Sequence, residues 1–207
     1  MLSEYTTPGA SIELDDDQII YSLLTRRIER TGTDPVIASK KLGPGRWQDI
    51  TAGEFHASVV SAAKGLIALG IAKGDAVTLF SSTRLEWGVL DFALAAVGAV
   101  SVPIYDTDSA SQAQRIMNDS AVKLAIADNR ERYDRLDSVK DNCPALQQIL
   151  MIDGNALGAL EGLGVAVSDE ELAERTASVH VDDLATIVYT SGPTGLPKGD
   201  HLTHRNF

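Results

Sequence analysis

The sequence predicts an α/β fold with a largely parallel sheet, and three observations carry that prediction. Strand-like and helix-like segments alternate along most of the chain, the order that a parallel sheet with right-handed crossovers requires. The run "GDAVTLFSS", Gly74 to Ser82, is β-rich and apolar without polar alternation, as a strand buried on both faces should be. Helix candidates open on side-chain caps, with Thr51-Ala-Gly-Glu54 and Ser109-Ala-Ser-Gln112 both written as capping boxes.

The elements follow in order. After a polar leader, "IIYSLLTRRIER" places Ile19, Ile20, Leu23, Leu24 and Ile28 at helical spacing. "PVIASKKLGPGRWQDIT" gives two short strands around the turn composition Gly43-Pro44-Gly45, a hairpin. The Thr51 box starts a helix whose Phe55, Val59, Ala63, Leu66 and Ile67 repeat on one face until Gly70. The buried strand comes next, and residues 84–99 are apolar nearly all round, a helix enclosed by the protein. "VSVPIY" is a strand, Ser109 caps "AQRIMNDS", "KLAIAD" is a strand, "RERYDRLDSVK" a charged helix and "QQILMID" another strand. Residues 154–164, rich in glycine and small apolar side chains, read as a loop. Ser168-Asp-Glu-Glu171 caps a short acidic helix, and "DDLATIVYTSG" is a last strand. With 207 residues, 44% of them hydrophobic, and no internal repeat or polar linker, the chain reads as one domain or part of one.

Composition removes several functions. Asp and Glu number 29 against 18 Lys and Arg, a formal charge of −11, so no nucleic-acid partner is expected. An acidic N-terminus and the lack of a long apolar run point to a cytoplasmic chain. The single cysteine, Cys143, has no disulfide partner and reads as incidental, and His201 and His204 lack the acidic or thiol neighbours of a metal site. "THRN" reads instead as a helix start, with His204 near the preceding loop. His56 and His180 read as structural, Trp87 and Phe92 as core, and Tyr105-Asp106 as a turn after a strand rather than a ligand crevice.

The chemistry concentrates in "YTSGPTGLPKG", Tyr189 to Gly199. A strand delivers the chain into a loop offering backbone N–H groups, hydroxyls and a cation, which are the parts of a phosphate cradle. Gly192, Gly195 and Gly199 permit close backbone approach, Ser191 and Thr194 donate hydroxyl hydrogen bonds, and Lys198 neutralises phosphate charge. A Walker A loop needs Gly-Lys-Ser/Thr at its end, whereas Lys198 stands between Pro197 and Gly199, which disfavours a P-loop kinase or GTPase.

This string, followed by "LTHRNF", resembles the phosphate loop of the adenylate-forming superfamily, which includes the acyl-CoA synthetases. The resemblance extends upstream through "WQDITAGEFHASVVSAAKGLIALGIAKGDAV" and residues 83–128. Arg-x-Glu-Trp at 84–87 and "VPIYDTDS" at 102–109 are most similar to long-chain fatty acyl-CoA synthetases. Such enzymes join a carboxylate to the α-phosphate of ATP with Mg2+, releasing pyrophosphate, and then pass the acyl group to coenzyme A. The resemblance implies that Thr190, Ser191, Gly192, Thr194, Gly195, Lys198 and Gly199 contact ATP phosphates, with no residue assigned as general acid, general base or metal ligand. It also implies that residues 1–207 are the front of a truncated AMP-binding N-terminal domain, ending just after the phosphate loop at 189–200. The adenine, Mg2+, acyl-chain and coenzyme A segments would follow, so the fragment is expected to be inactive alone and to expose unpaired sheet edges. The competing reading is a non-catalytic module that binds nucleotide or, as an interaction module, complements a separate C-terminal half. A lipid substrate would bring peripheral membrane association, although no basic amphipathic helix is evident. Two departures are expected to weaken the cradle: Pro193 removes a hydroxyl and an N–H that the family usually keeps, a loss of about 1–3 kcal/mol for each unreplaced donor, and Asp200 sets a carboxylate two residues from Lys198.

Overall fold

A computed structural model describes residues 15–191 and 197–207. Its centre is a six-stranded sheet in the order β6-β5-β3-β4-β7-β8, built from β3 (Ala76–Phe80), β4 (Val100–Ile104), β5 (Leu124–Ala127), β6 (Gln148–Met151), β7 (Leu184–Ser191) and β8 (Pro197–Thr203). All neighbours run parallel except β7 and β8. A separate antiparallel hairpin joins β1 (Val36–Gly43) to β2 (Arg46–Thr51).

Helices cover both faces. On one lie α1 (Ile20–Thr31), α2 (Ala52–Ala68), α3 (Leu85–Val97), α6 (Ala156–Gly164) and α7 (Asp169–Ala177), packed on Val77, Leu79, Leu124 and Ile126. On the other, α4 (Ala110–Asp119) and α5 (Arg130–Asp137) pack on Ala76, Phe80, Ala125 and Ala127. Alternate residues of β3 and β5 thus feed opposite layers, which is why these strands are apolar throughout. Both expected capping boxes form: Thr51 Oγ1 accepts from the Glu54 N–H, Ser109 Oγ accepts from the Gln112 N–H, and each partner side chain accepts from the N-cap N–H. Ser168 caps α7 through the Glu171 N–H.

Three expectations change. Residues 154–164 are not a loop: most of them form α6, with Ala156 and Leu160 buried. The small residues serve a backbone-to-backbone crossing with α2. A Cβ on Gly65 would stand 2.3 Å from the Leu160 carbonyl oxygen, and one on Gly164 would stand 2.9 Å from the Gly65 nitrogen. Second, the chain after the glycine-rich loop does not stay irregular but returns as β8, with Pro197 at its first position, where an edge strand tolerates proline. Third, Leu23, placed by periodicity on the buried face of α1, is 59% exposed.

The path of the chain positions the site. From β3 it crosses to β4 through α3 on one face, and from β4 it crosses to β5, on the far side of β3, through α4 on the other. The two connections part at the C-terminal ends of β3 and β4, the topological switch point where open α/β sheets hold ligands.

Candidate functional site

A crevice of 290 Å³ opens at that switch point. Ser81, Ser82 and Thr83 line it from the end of β3, Tyr105 and Asp106 from the end of β4, Trp87 from α3 and Val188 from β7. A larger cavity of 610 Å³, between α1 and α7, includes Val179, which leads into the start of β7, and so sits away from these strand ends.

The crevice wall is held by charge. Asp128, just past β5, accepts the Ser82 N–H at 3.0 Å, the Ser82 hydroxyl at 2.9 Å, and Arg132 Nη1 at 2.8 Å on one oxygen and 3.0 Å on the other. Burial alone would raise the Asp128 pKa, but the Ser82 and Arg132 donors overcome it and hold the carboxyl below its ordinary value. Arg132 also reaches Asp106 at 3.4 Å, so one guanidinium ties the ends of β4 and β5 together. At the start of α3, Glu86 accepts from Lys40 Nζ at 2.6 Å and Arg84 Nε at 2.9 Å, while Arg84 also donates to Asp153 at 2.9 Å. Burial opposes the charge on Glu86, yet these two donors push its pKa down to about 2. The Arg-x-Glu-Trp stretch is therefore a clamp: Glu86 ties the start of α3 to Lys40 of the β1-β2 hairpin, Arg84 ties it to Asp153 after β6, and Trp87 lines the crevice as well as packing on the core.

The β7-β8 hairpin meets this crevice through Val188. Thr190 pairs with Lys198, Val188 with Asp200 and Thr186 with Leu202 in the antiparallel register. Directly opposed residues share a face, so Thr190 and Lys198 stand on the face of Val188, further out along the strand. Both are exposed. The Thr190 hydroxyl donates to Asp200 Oδ2 at 3.0 Å. Gly199 lies opposite Tyr189, where an added Cβ would meet Ile187 Cγ2 at 2.8 Å and the ring at 3.2 Å, so packing alone already demands glycine there. The Tyr189 hydroxyl donates to Asp119 at 2.6 Å and lies 2.7 Å from the Ser120 hydroxyl, and burial followed by Asp119 pushes its pKa up to about 12. That anchors the β7 end of the hairpin to α4. Ser191 pairs with Pro197 through its backbone. The remaining sequence-derived contacts, Gly192, Thr194 and Gly195, and the departure at Pro193, lie outside the described residues.

His204 is not near the loop. It follows Thr203, the partner of Leu184 at the opposite end of the hairpin, and is 2% exposed, its Nδ1 accepting the Ile20 N–H at 3.3 Å. The "THRN" helix-start reading holds, since Thr203 and Asn206 form a capping box over one 3-10 turn. The turn reading of Tyr105 and Asp106 holds, the Asp108 N–H donating to the Tyr105 carbonyl at 2.9 Å, and both residues also line the crevice. Ser82, Asp128 and Arg132 carried no motif in the sequence. The available signal was position, because Ser82 and Asp128 are polar residues just past the last apolar residue of a parallel strand.

A mostly parallel sheet with a crevice at its switch point, and with β7 of the β7-β8 hairpin lining that crevice, defines an open α/β domain of the kind that holds ligands at this position. Its family is equally clear: a model described as AMP-binding enzyme matches residues 24–207, and the chain belongs to that family. It is 43% identical over 181 residues to the long-chain-fatty-acid–CoA ligase FadD15 of Mycobacterium bovis, covering 86% of this chain and 30% of that protein. Among solved structures, it is similar to a Mycobacterium tuberculosis fatty acyl CoA synthetase, with a TM-score of 0.68 and 27% identity over 92% of this chain and 36% of the other. It is similar as well to ATP-bound MatB from Rhodopseudomonas palustris, with a TM-score of 0.72 and 25% identity over 92% and 35%. The chain thus spans about a third of the length of each of these three proteins.

Proposed function

We propose that this chain carries the phosphate-binding hairpin of an ATP-dependent long-chain fatty acyl-CoA ligase. The observation that carries the reading is the register placing Thr190 and Lys198 side by side, on the face of Val188, at the edge of the switch-point crevice. Lys198 would neutralise charge on the ATP β- and γ-phosphates, and Thr190 would donate its hydroxyl to a phosphate oxygen. Ser191, Gly192, Thr194, Gly195 and Gly199 complete the proposed set of phosphate contacts. The contribution of these residues is positioning and charge neutralisation, with no proton transferred by any of them.

In the complete enzyme, the fatty acid carboxylate attacks the α-phosphate, pyrophosphate leaves, and the coenzyme A thiol then displaces AMP. Mg2+ bound to the nucleotide supplies further charge neutralisation. Among the described residues no group of three or more His, Cys, Asp or Glu is placed to hold a cation. No helix among the described residues is long and apolar enough to cross a membrane, and any contact with a lipid surface is peripheral in this reading. A second reading is a non-catalytic module that binds nucleotide without turnover of its own or pairs with a separate C-terminal half.

Calorimetric titration with MgATP tests the nucleotide reading, with binding expected for the chain and at least tenfold weaker binding for Lys198→Ala. ATP–pyrophosphate exchange with a long-chain fatty acid then separates the two roles. Exchange restored by adding the remainder of a ligase would support complementation, and exchange by the chain alone would show a self-sufficient enzyme.

A further inference from the structure

The hydroxyl that best suits a phosphate at this hairpin already has an anionic partner. Thr190 stands opposite Lys198, Asp200 opposite Val188, and all four share one face. On that face Thr190 and Asp200 are diagonal neighbours, and the Thr190 hydroxyl gives its proton to Asp200 Oδ2 at 3.0 Å. A threonine hydroxyl has a single proton to donate, so the carboxylate and a phosphate oxygen compete for one donor. Asp200 also lies two residues from Lys198 on the same strand face, a spacing of about 7 Å, where its charge opposes an incoming phosphate.

We propose that Asp200 is a built-in competitor for nucleotide phosphate, a residue that sets the affinity of the hairpin by occupying Thr190 whenever the site is empty. The inference rests on the phosphate-binding role of the hairpin given above. It differs from the plain alternative, an exposed cross-strand pair that trims a sheet edge, because that pair would leave ligand affinity untouched.

Titration of the full chain with MgATP decides between them. Asp200→Val, which removes the acceptor, is expected to lower Kd about tenfold, equivalent to about 1.4 kcal/mol, and Asp200→Asn, whose amide oxygen still accepts from Thr190, is expected to gain less, through the lost charge alone. In the Thr190→Val background Asp200→Val is expected to gain threefold or less, since the donor it would release is gone. Both residues are exposed, so circular dichroism and melting curves should match the parent chain. Unchanged or weaker binding in both Asp200 variants overturns the competitor, and so does an equal gain with and without Thr190. If Lys198→Ala weakens binding while the Asp200 variants do not move it, the phosphate site stands and only the competitor falls. If neither the parent chain nor any variant binds MgATP at 10-millimolar levels (on the order of the weakest affinities of interest), the phosphate site falls and takes the competitor with it.

Discussion

Two segments of this chain look alike in composition and end in opposite structures. Residues 154–164 and residues 189–199 are both rich in glycine and small side chains. The first forms a helix whose glycines let two backbones touch, at Gly65 and Gly164 across the α2-α6 crossing. The second leaves β7 and returns as β8, with Gly199 fixed by the Tyr189 ring opposite. What separates them is partner and spacing. Ala156 and Leu160, four residues apart, share a helical face that α2 buries, whereas Thr190 and Lys198 face each other across an antiparallel pair beside solvent. Glycine content alone therefore says little; the neighbour that fills the missing Cβ decides what a glycine is for.

Substitutions break this comparison at different depths. The largest effect is expected at Gly65, where the neighbour at 2.3 Å is a backbone carbonyl that has no rotamer to yield: Gly65→Ala should cost about 3 kcal/mol or more in urea denaturation, by forcing α2 and α6 apart. Gly199→Ala should cost less, about 1–2 kcal/mol, because the Ile187 and Tyr189 side chains have some room to shift, and it should also weaken MgATP binding where Gly65→Ala does not.

Acid sharpens the same division from the site side. The folded-state pKa of Glu86 is depressed, so its contribution is present in full above its ordinary pKa of 4.5 and is lost as pH falls toward about 2. After allowance for solvent screening this amounts to about 1–2 kcal/mol. Glu86→Gln should flatten that part of the stability-pH curve, as followed by melting temperature from pH 6 to pH 2. The smallest change carries the opposite sign: Gly162 in α6 has nothing within 4 Å of an added Cβ, so Gly162→Ala should stabilise by about 0.5–1 kcal/mol through helix propensity. A loss there would mean that α6 tolerates no added side chain and that its glycines are not divided between contact and slack.

Periodicity and caps exposed most of the sheet and its helices in the sequence, because β3 and β5 are buried on both faces and Thr51, Ser109 and Ser168 announce their helices locally. α6 was hidden because its contact uses the absence of side chains, which leaves no apolar stripe to count. β8 was hidden because Pro197 and Gly199 suit an edge strand only when β7 stands beside it. The site was legible in part. Thr190 and Lys198 emerged from one continuous string, while Ser82, Asp106 and Asp128 come from three strand ends, and Arg132 from α5, that the fold alone brings together. No local pattern joins Asp106 to Arg132, and Trp87 looks like any aromatic in an apolar helix until the switch point gives it a crevice to face.

The hairpin that carries Thr190 and Lys198 has a further consequence, in the order of assembly. Its own pairing closes a short loop, the sort of contact that forms in microseconds. Its attachment to the sheet depends on the parallel register of Ser101 with Thr186, where the Thr186 hydroxyl donates to the Ser101 carbonyl across 85 residues of chain. Closing that distance costs far more chain entropy and belongs to the slow, non-local part of folding. If the hairpin binds nucleotide as proposed, that binding probes the last long-range closure rather than the sheet as a whole, and it should lag behind the recovery of secondary structure when the chain is refolded.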